Sequence, residues 1–394
     1  MSFCATLLSG FPSRRLIVVG VTGTKGKSST LEYLNAIFEA AGWQTALLGT
    51  IRTKIGASSR PNLSRMTMPG RFSIQNFLKE AADAGCSIAF LEMTSEGARQ
   101  YRHRFINLDA LLFINLAPEH IESHGSLAAY SDAKFELGKQ LVRSKKRPRS
   151  MIANVEDSES GRYLTLPVEQ PIGFTLENAQ PWHAGVGDGK FTFASTTISV
   201  QQPGKFSLMN ALAAAELARA MHVPVSAIAA GIGALDRIPG RAEEIREGQS
   251  FTAIVDYAHT PDSLKAIYDA FPSRRKICVL GSTGGGRDSW KRPVMGSIAE
   301  KSCDAIILTN EDPYDEDPRS IVDAIASGMK EKKPEIIMNR REAIHRALAL
   351  ASAGDVVLVT GKGTDPTMQG PKGSSVRWSD ATVVREEIQK VLRA

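Results

Sequence analysis

Cysteine is scarce in this chain: four in 394 residues, Cys4, Cys86, Cys278 and Cys303, with no C-x-x-C pair. Such spacing argues against a zinc site and against disulfides, and it suits a reducing cytosol. No stretch approaches the ~18 apolar residues that a bilayer span needs, and the first ten residues lack a basic leader. A cytoplasmic protein without membrane contact is expected. Aromatic residues make up 7% of the chain, and none interrupts the densest basic run, Arg143 to Arg149. Stacking on nucleic-acid bases is therefore unsupported, and the formal net charge of +6 suits anionic small molecules equally well. Repeats and low-complexity tracts are also missing. The apolar share of 42% and charged share of 23% are ordinary for globular proteins, and the length predicts two or three domains.

The strongest positive signal lies between the apolar run Leu16-Ile17-Val18-Val19 and the periodic series Leu31, Leu34, Ile37, Phe38, Ala41. It reads as strand, glycine loop and helix. The loop comprises Gly23, Thr24, Lys25, Gly26, Lys27, Ser28 and Ser29. Glycines let backbone N–H groups close around phosphate oxygens, and a helix N-terminus favours negative charge. Lys27 supplies a point charge and Ser28 a hydroxyl for Mg²⁺. Val21 stands where the common P-loop spacing has a glycine, so the match is to a variant, GTxGK[ST]. A nucleoside triphosphate site is expected; a bare strand-to-helix turn is the alternative.

Further along, strands and helices alternate, with strands read at Thr45 to Leu48, Ser87 to Met93, Ala110 to Leu116 and Met151 to Asn154. This predicts an α/β fold with a mostly parallel, helix-covered sheet. Short alternating runs between Pro167 and Pro203, Lys190 to Val200 among them, predict a small antiparallel excursion, and a helix is expected over Leu208 to Met221. Pro239-Gly240 punctuates the chain. The expected domains are a linker at 1–15, a P-loop ATPase-like domain at 16–238 and a Rossmann-like domain at 239–394. The latter should hold strands Phe251 to Asp256, Lys276 to Leu280, Ala305 to Thr309 and Val356 to Thr360, each followed by a helix. Ligands in such sheets sit beyond the carboxyl ends of strands.

Glu92 closes one such strand, where a carboxylate beside a phosphate loop is suited to Mg²⁺. His120 follows the next strand. His120 and His124 do not form an H-E-x-x-H pair and no third ligand is evident, so either can be a structural histidine. These residues belong to an ordered set of motifs. It comprises the loop, Glu92 to Ser95, Asn115 to His120, Ala133-Lys134, Asn210 with its alanines, Pro239-Gly240-Arg241, Asp256 to Asp262, Arg287 to Pro293 and Gly361-Lys362-Gly363. The set resembles the Mur ligase family from about residue 16 onwards, in particular members that extend a muramoyl dipeptide. By this resemblance the N-terminal domain that grips uridine in that family is expected to be missing, which leaves room for a separate uridine-binding partner.

The resemblance implies an ADP-forming ligase in peptidoglycan synthesis. ATP phosphorylates a carboxylate, and an amino acid's nitrogen captures the acyl phosphate. It implies ATP and two Mg²⁺ ions, with Ser28, Glu92, His120 and Lys134 about the metals, Lys134 carrying a carbamate formed with CO₂. Only a neutral amine takes up CO₂, so burial must lower this lysine's pKa. By the same resemblance Asn210, Arg241, Asp256, Tyr257 and His259 belong to the nucleotide, with residues of both domains about one ATP. Thr67, Thr94, Ser95, Gln100 and Arg102 belong to the acceptor. Met68 and Glu96 depart from the family pattern there.

Amino-acid recognition falls to Arg287, Glu311, Asp312, Gly361 and Asp365. Glu311-Asp312-Pro313-Tyr314 lacks the arginine of diaminopimelate-adding members, and two acids can receive a distal ammonium, so L-lysine or another cationic diamino acid is expected. A solvated acidic loop is the alternative for Glu311 and Asp312. For the whole chain the alternatives are the same chemistry on a carboxylate without UDP, or a nucleotide-binding partner subunit without activity. A monomer is expected.

Overall fold

Strands form where β-branched and aliphatic residues run without interruption. In the structure, a computed structural model that describes every residue except Met1, Arg65, His120 and Ala394, the chain divides into two units. Unit 1 comprises Met1–Gln201 and Lys205–Asp236, and unit 2 comprises Gln202–Gly204 and Arg237–Ala394.

Unit 1 is built on eight strands: β1 Ile17–Thr22, β2 Thr45–Leu48, β3 Arg52–Ile55, β4 Ser58–Pro61, β5 Ile88–Glu92, β6 Ala110–Phe113, β7 Ser150–Asn154 and β8 Gln170–Phe174. Their order is β4-β3-β2-β5-β1-β6-β7-β8. The six strands from β2 to β8 in that order run parallel, and the β3–β4 hairpin is antiparallel at one edge. Strands β2, β5, β6 and β7 are buried throughout, as expected for a parallel sheet covered on both faces. A second hairpin, β9 Gly189–Phe193 with β10 Thr196–Val200, is the antiparallel excursion read from the sequence.

Two features differ from the sequence reading. The edge hairpin is absent from it because Arg-Thr-Lys-Ile and Ser-Ser-Arg-Pro carry little apolar alternation, the second being fully exposed. Strand β8, read as part of the antiparallel region, instead pairs parallel with β7. Its Pro171 obscures it in the sequence, yet an edge position tolerates a residue without an N–H.

The Lys27–Ala40 helix buries Leu31, Leu34, Ile37 and Phe38, the stripe its spacing predicts. It packs on the Val225–Ala234 helix so closely that a Cβ at Gly231 would lie 2.5 Å from Ile37 Cα. Below the sheet's other face, Phe113 stacks on Tyr163 at 4.2 Å within a continuous apolar cluster.

His103 is fully buried in unit 1, and neither ring nitrogen has a hydrogen-bond partner. Burial, reinforced by Arg104 and Arg143 and opposed by Glu136, pushes the imidazole down to about 4. The unfolded chain, with an ordinary imidazole near 6.5, binds more protons than the native one between these values. Stability should therefore be full above pH ~6.5 and fall as the pH drops towards 4, by up to ~3 kcal/mol. Urea unfolding at stepped pH measures this, and His103→Leu should flatten that part of the profile. An unchanged slope in the variant would refute the assignment.

Unit 2 carries a six-stranded sheet. Its strands are β11 Glu243–Ile245, β12 Thr252–Asp256, β13 Lys276–Leu280, β14 Ala305–Leu308, β15 Glu335–Ile336 and β16 Val356–Thr360. The order is β11-β12-β16-β13-β14-β15, with only β11 antiparallel. Helices Pro261–Asp269, Lys291–Ser302, Pro318–Ala326 and Asp380–Val391 fall where the sequence predicts them. A fifth, Arg340–Ala349, and the hairpin β17 Thr367–Gln369 with β18 Ser375–Arg377 do not appear in that reading.

One exclusion is overturned: Cys278 and Cys303 form a disulfide, with Cα atoms 6.1 Å apart. They lie 25 residues apart in sequence, and the strand–helix crossover returns the chain from β13 to the end of the Lys291–Ser302 helix. Spacing alone cannot reveal a pairing made by a crossover.

Candidate active site

In unit 1 the polar clusters collect at the carboxyl ends of β5, β1 and β6, three adjacent strands. The loop after β1 turns sharply: Gly23 has φ 155° and Gly26, the N-cap of the Lys27–Ala40 helix, φ 83°. A Cβ at Gly26 would lie 2.3 Å from Asn210 Oδ1, so only glycine fits. Asn210, from the Lys205–Ala220 helix, thus backs the loop.

Asn115, after β6, fixes the loop from the other side. Its side-chain oxygen accepts the N–H groups of Thr24 at 3.0 Å and Lys25 at 2.9 Å. Thr24 Oγ1 accepts from Ala117 N at 3.0 Å and lies 3.1 Å from Tyr130 Oη. Lys27 Nζ folds back to the carbonyls of Gly23 at 3.0 Å and Thr24 at 2.9 Å. Lys25 pairs with the buried Glu119 at 2.8 Å.

Glu92 is 3% exposed and receives three donors. Ser28 Oγ approaches both its oxygens at 3.2 and 3.1 Å, Thr50 N donates at 2.8 Å and Thr50 Oγ1 at 3.0 Å. Thr50 in turn lies 2.8 Å from Thr67 Oγ1. Serine hydroxyl and carboxylate are hard oxygen donors, of the kind that suits Mg²⁺, and Thr50 braces the carboxylate. Among the described residues no group of three or more His, Cys, Asp or Glu side chains gathers as a metal cage. Mg²⁺ at nucleotide sites takes one or two carboxylates and completes its shell from phosphate and water, so the residues present fit it.

Lys134, on the Leu127–Arg143 helix, is 2% exposed. Its Nζ donates to Gly23 O at 2.8 Å and sits 4.6 Å over the Tyr130 ring. Burial drives its pKa well below the ordinary lysine value, Lys27 adds to this, and Glu119 opposes it. It is not a solvated helix lysine. His120 lies outside the described residues. His124 packs its ring 5.2 Å from that of Tyr130, and burial with Arg99 nearby lowers its pKa.

The expected acceptor residues are interlinked. Thr94 caps the Ser95–Arg99 helix, its Oγ1 accepting from Gly97 N at 3.1 Å. Arg102 donates from Nε to Gln100 Oε1 at 3.0 Å and from Nη1 to Met68 O. Met68 is buried, and its sulfur fills the space beside Gly97. Arg102 therefore ties the Thr67-Met68 segment to the end of the Ser95–Arg99 helix and is no loose surface residue.

In unit 2, Asp256 ends β12 and accepts from Ala242 N at 2.6 Å and Ala258 N at 2.7 Å. Tyr257 stands between Arg241, 4.4 Å above its ring, and His259, with ring centroids 4.7 Å apart. Arg287 is exposed on the glycine turn, 5.8 Å from the Tyr314 ring. Glu311 and Asp312 are each 2% exposed, which overturns the solvated-loop alternative. Asp312 accepts from Lys362 Nζ at 2.7 Å and Gln369 N at 2.7 Å. Glu311 accepts from Thr283 at 2.8 Å, its Oε2 lacks a hydrogen-bond partner, and burial raises its pKa against the pull of Arg340 and Lys362. Gly361 is required beside it, since a Cβ there would lie 2.2 Å from Glu311 Oε2. Asp365 lies 3.5 Å from Lys362.

Thr50, Asn115, Glu119 and Tyr130 escaped assignment from sequence. Asn115 and Glu119 lie inside a quoted motif, whereas Thr50 follows β2 with no local signal beyond Gly49.

A glycine loop opening a helix, with an acidic strand end beside it, defines an α/β enzyme that uses a nucleoside triphosphate. The chain matches the family models for the Mur ligase middle domain over residues 21–218 and for the Mur ligase glutamate ligase domain over residues 240–363. It is 32% identical over 405 residues to the UDP-N-acetylmuramoyl-L-alanyl-D-glutamate–2,6-diaminopimelate ligase of Geobacillus kaustophilus, covering 99% of this chain and 82% of that one. The Syntrophomonas wolfei ligase of the same name is 33% identical, covering 96% and 79%. A solved structure of a ligase so named superposes with a TM-score of 0.63 at 27% identity, covering 95% of this chain and 78% of that one. The Mycobacterium tuberculosis folylpolyglutamate synthase complexed with ADP and AMPPCP shares the fold, with a TM-score of 0.72 at 17% identity and 92% of each chain covered. This chain belongs to the Mur ligase family. It is an ATP-dependent amide ligase, and ligases of this family use ATP and Mg²⁺. No described helix is long and apolar enough to cross a membrane.

Proposed function

We propose that this ligase extends the dipeptide carboxylate of a UDP-N-acetylmuramoyl precursor by one diamino acid in peptidoglycan synthesis. The observation that carries this reading is the convergence of the Gly23 to Ser28 loop, Glu92 and the buried Lys134 on one set of strand ends, where Lys134 Nζ reaches Gly23 O at 2.8 Å.

In the reaction a carboxylate oxygen bonds to the γ-phosphorus as the bridging P–O bond to ADP breaks. The amine then adds to the acyl carbon, loses its proton, and phosphate departs with the C–O electrons. Such chemistry depends on positioning and charge neutralisation. The loop N–H groups and the helix N-terminus receive phosphate oxygens, and Lys27 neutralises charge on them once it releases the carbonyls it now holds. Ser28 and Glu92 would hold a Mg²⁺ ion, which when bound would supply further neutralisation. We assign His120 and a carbamate on Lys134 to a second ion. Thr67, Thr94, Ser95, Gln100 and Arg102 orient the acceptor.

Unit 2 offers an aromatic face and guanidinium in Tyr257 and Arg241, which suit a nucleotide base and phosphate. Arg287 suits the incoming amino acid's carboxylate. Asp312 is committed to Lys362, which leaves Glu311 as the acid for a distal ammonium. Tyr314 offers no cation for a distal carboxylate. L-lysine or another cationic diamino acid follows, in contrast to the diaminopimelate of the relatives' names.

Amine-dependent ADP release should be measured over a matrix of L-lysine, L-ornithine and meso-diaminopimelate against the UDP-linked dipeptide and the same dipeptide without UDP, with products weighed by mass. Release with lysine or ornithine and the UDP-linked acceptor is expected, at least ten times faster than with diaminopimelate. Preference for diaminopimelate refutes the amine assignment, preference for the UDP-free acceptor refutes the acceptor, and nucleotide binding without turnover on any pair refutes the ligase reading.

A further inference from the structure

Glu92 is held by more than its metal role requires. Thr50 gives it both a backbone N–H at 2.8 Å and a hydroxyl at 3.0 Å, and Ser28 adds a second hydroxyl. A carboxylate only accepts hydrogen bonds, so the hydroxyl protons of Thr50 and Ser28 both point at Glu92. The contact of 2.8 Å between Thr50 and Thr67 lets either hydroxyl donate, and the hydrogen bond from Thr50 to Glu92 selects between them. With its own proton committed, Thr50 Oγ1 is the acceptor and Thr67 the donor. The result is a one-way chain, Thr67 to Thr50 to Glu92, linking the segment around Thr67 to the strand end of β5.

We propose that Thr50 is a positioning residue that sets the orientation of Glu92 and couples it to the occupancy of Thr67. The proposal rests on the reading of Glu92 as a Mg²⁺ ligand and of Thr67 as an acceptor contact. An acceptor oxygen that draws the Thr67 proton away removes the donor to Thr50, frees a lone pair there, and shifts the hydrogen bond Thr50 makes to Glu92. Chains of hydroxyls polarise one another, so metal affinity and acceptor affinity become linked. Linkage is reciprocal: whatever factor the acceptor exerts on the metal, the metal exerts on the acceptor.

The test compares the wild type with Thr50→Val, Thr50→Ser and Thr67→Val. Valine keeps the β-branch and the backbone N–H while removing the hydroxyl, and serine restores it. Mn²⁺ binding is followed by electron paramagnetic resonance with the β,γ-imido analogue of ATP, with and without UDP-N-acetylmuramoyl-L-alanyl-D-glutamate. Steady-state runs give the KM for Mg²⁺ and kcat separately.

Thr50→Val should weaken Mn²⁺ about tenfold and raise the KM for Mg²⁺ by a similar factor. Its KM for ATP should change less than threefold and its melting temperature little, and Thr50→Ser should lie within threefold of wild type. The acceptor should shift Mn²⁺ affinity in the wild type and fail to do so in Thr50→Val and Thr67→Val. Wild-type Mn²⁺ affinity in Thr50→Val, or a serine variant as impaired as the valine one, overturns the proposal alone. A wild-type protein that binds no Mn²⁺ with the nucleotide overturns the metal reading of Glu92 and the proposal with it.

Discussion

Lys134→Ala should lower kcat by at least about 10³-fold, some 4 kcal/mol of lost transition-state stabilisation, while nucleotide affinity stays within a few fold of wild type. The lysine makes one hydrogen bond to the phosphate loop, to Gly23 O, and the loop keeps its hydrogen bonds to Asn115 and Ala117 when that bond is gone. On the proposed carbamate, its value lies in being neutral. An ordinary lysine of pKa about 10.4 is roughly 0.1% neutral near pH 7.4, too little to hold CO₂ on its nitrogen. Burial, with Lys27 as a like charge close by, moves Lys134 well below that value. Turnover should accordingly fall in buffer stripped of CO₂ and return on addition of bicarbonate, with a carbamate signal from ¹³C-bicarbonate in the wild type alone. Wild-type turnover in Lys134→Ala, or indifference to CO₂ together with no such signal, would rule out the carbamate.

Removal of Arg340 is expected to be the most damaging single change to the stability of unit 2. Its guanidinium donates from Nε to Asp380 Oδ1 at 2.8 Å, and from Nη2 to Asp380 Oδ2 at 2.6 Å and Thr360 O at 2.8 Å. Both side chains of the pair are wholly inaccessible. Trp378 Nε1 also donates to Asp380, at 2.7 Å. Arg340→Met would leave a buried carboxylate with its charge unpaired, and the loss should be about 3–5 kcal/mol. Asp380 opens the Asp380–Val391 helix and Thr360 ends β16, so the loss would loosen the strand end that leads into Gly361 and Lys362. Replacing both partners, Arg340→Met with Asp380→Leu, should recover most of the stability, because the cost arises from the orphaned charge rather than from the missing attraction. Urea titrations of the three proteins measure this. A single variant within 1 kcal/mol of wild type would show that the pair is not needed.

Much of the architecture was readable because parallel strands are nearly unbroken apolar runs. The runs Lys276 to Leu280 and Val356 to Thr360 coincide with their strands to the residue, and the strand–loop–helix of β1 follows from its glycines and the periodicity after it. What escaped lacked that signature. Strand β4 is exposed and β3 only partly buried, β8 carries a proline and a glycine, and the Arg340–Ala349 helix buries a charged residue, Arg340, beside Ala343, Ile344, Ala347 and Leu348. For the site, the motifs supplied the charged residues but not their supports. Thr50 became visible only when β2 was seen beside β5, since nothing in a linear pattern says which threonine will meet a carboxylate 42 positions away. The acidic pair Glu311-Asp312 was legible as chemistry but not as environment, because burial and the partner Lys362 come from a strand end 50 residues further on.

Strand β1 lies between β5 and β6, and adjacent strands stand about 4.8 Å apart. The spacing of Lys27, Glu92 and Asn115, which lie at or just beyond the ends of these three strands, is thus dictated by backbone pairing, which any sequence of suitable apolar character can sustain. Drift in the interior can then proceed without changing the pitch at which these groups are presented. A chain 32% identical to another ligase can thus keep these groups at the same pitch.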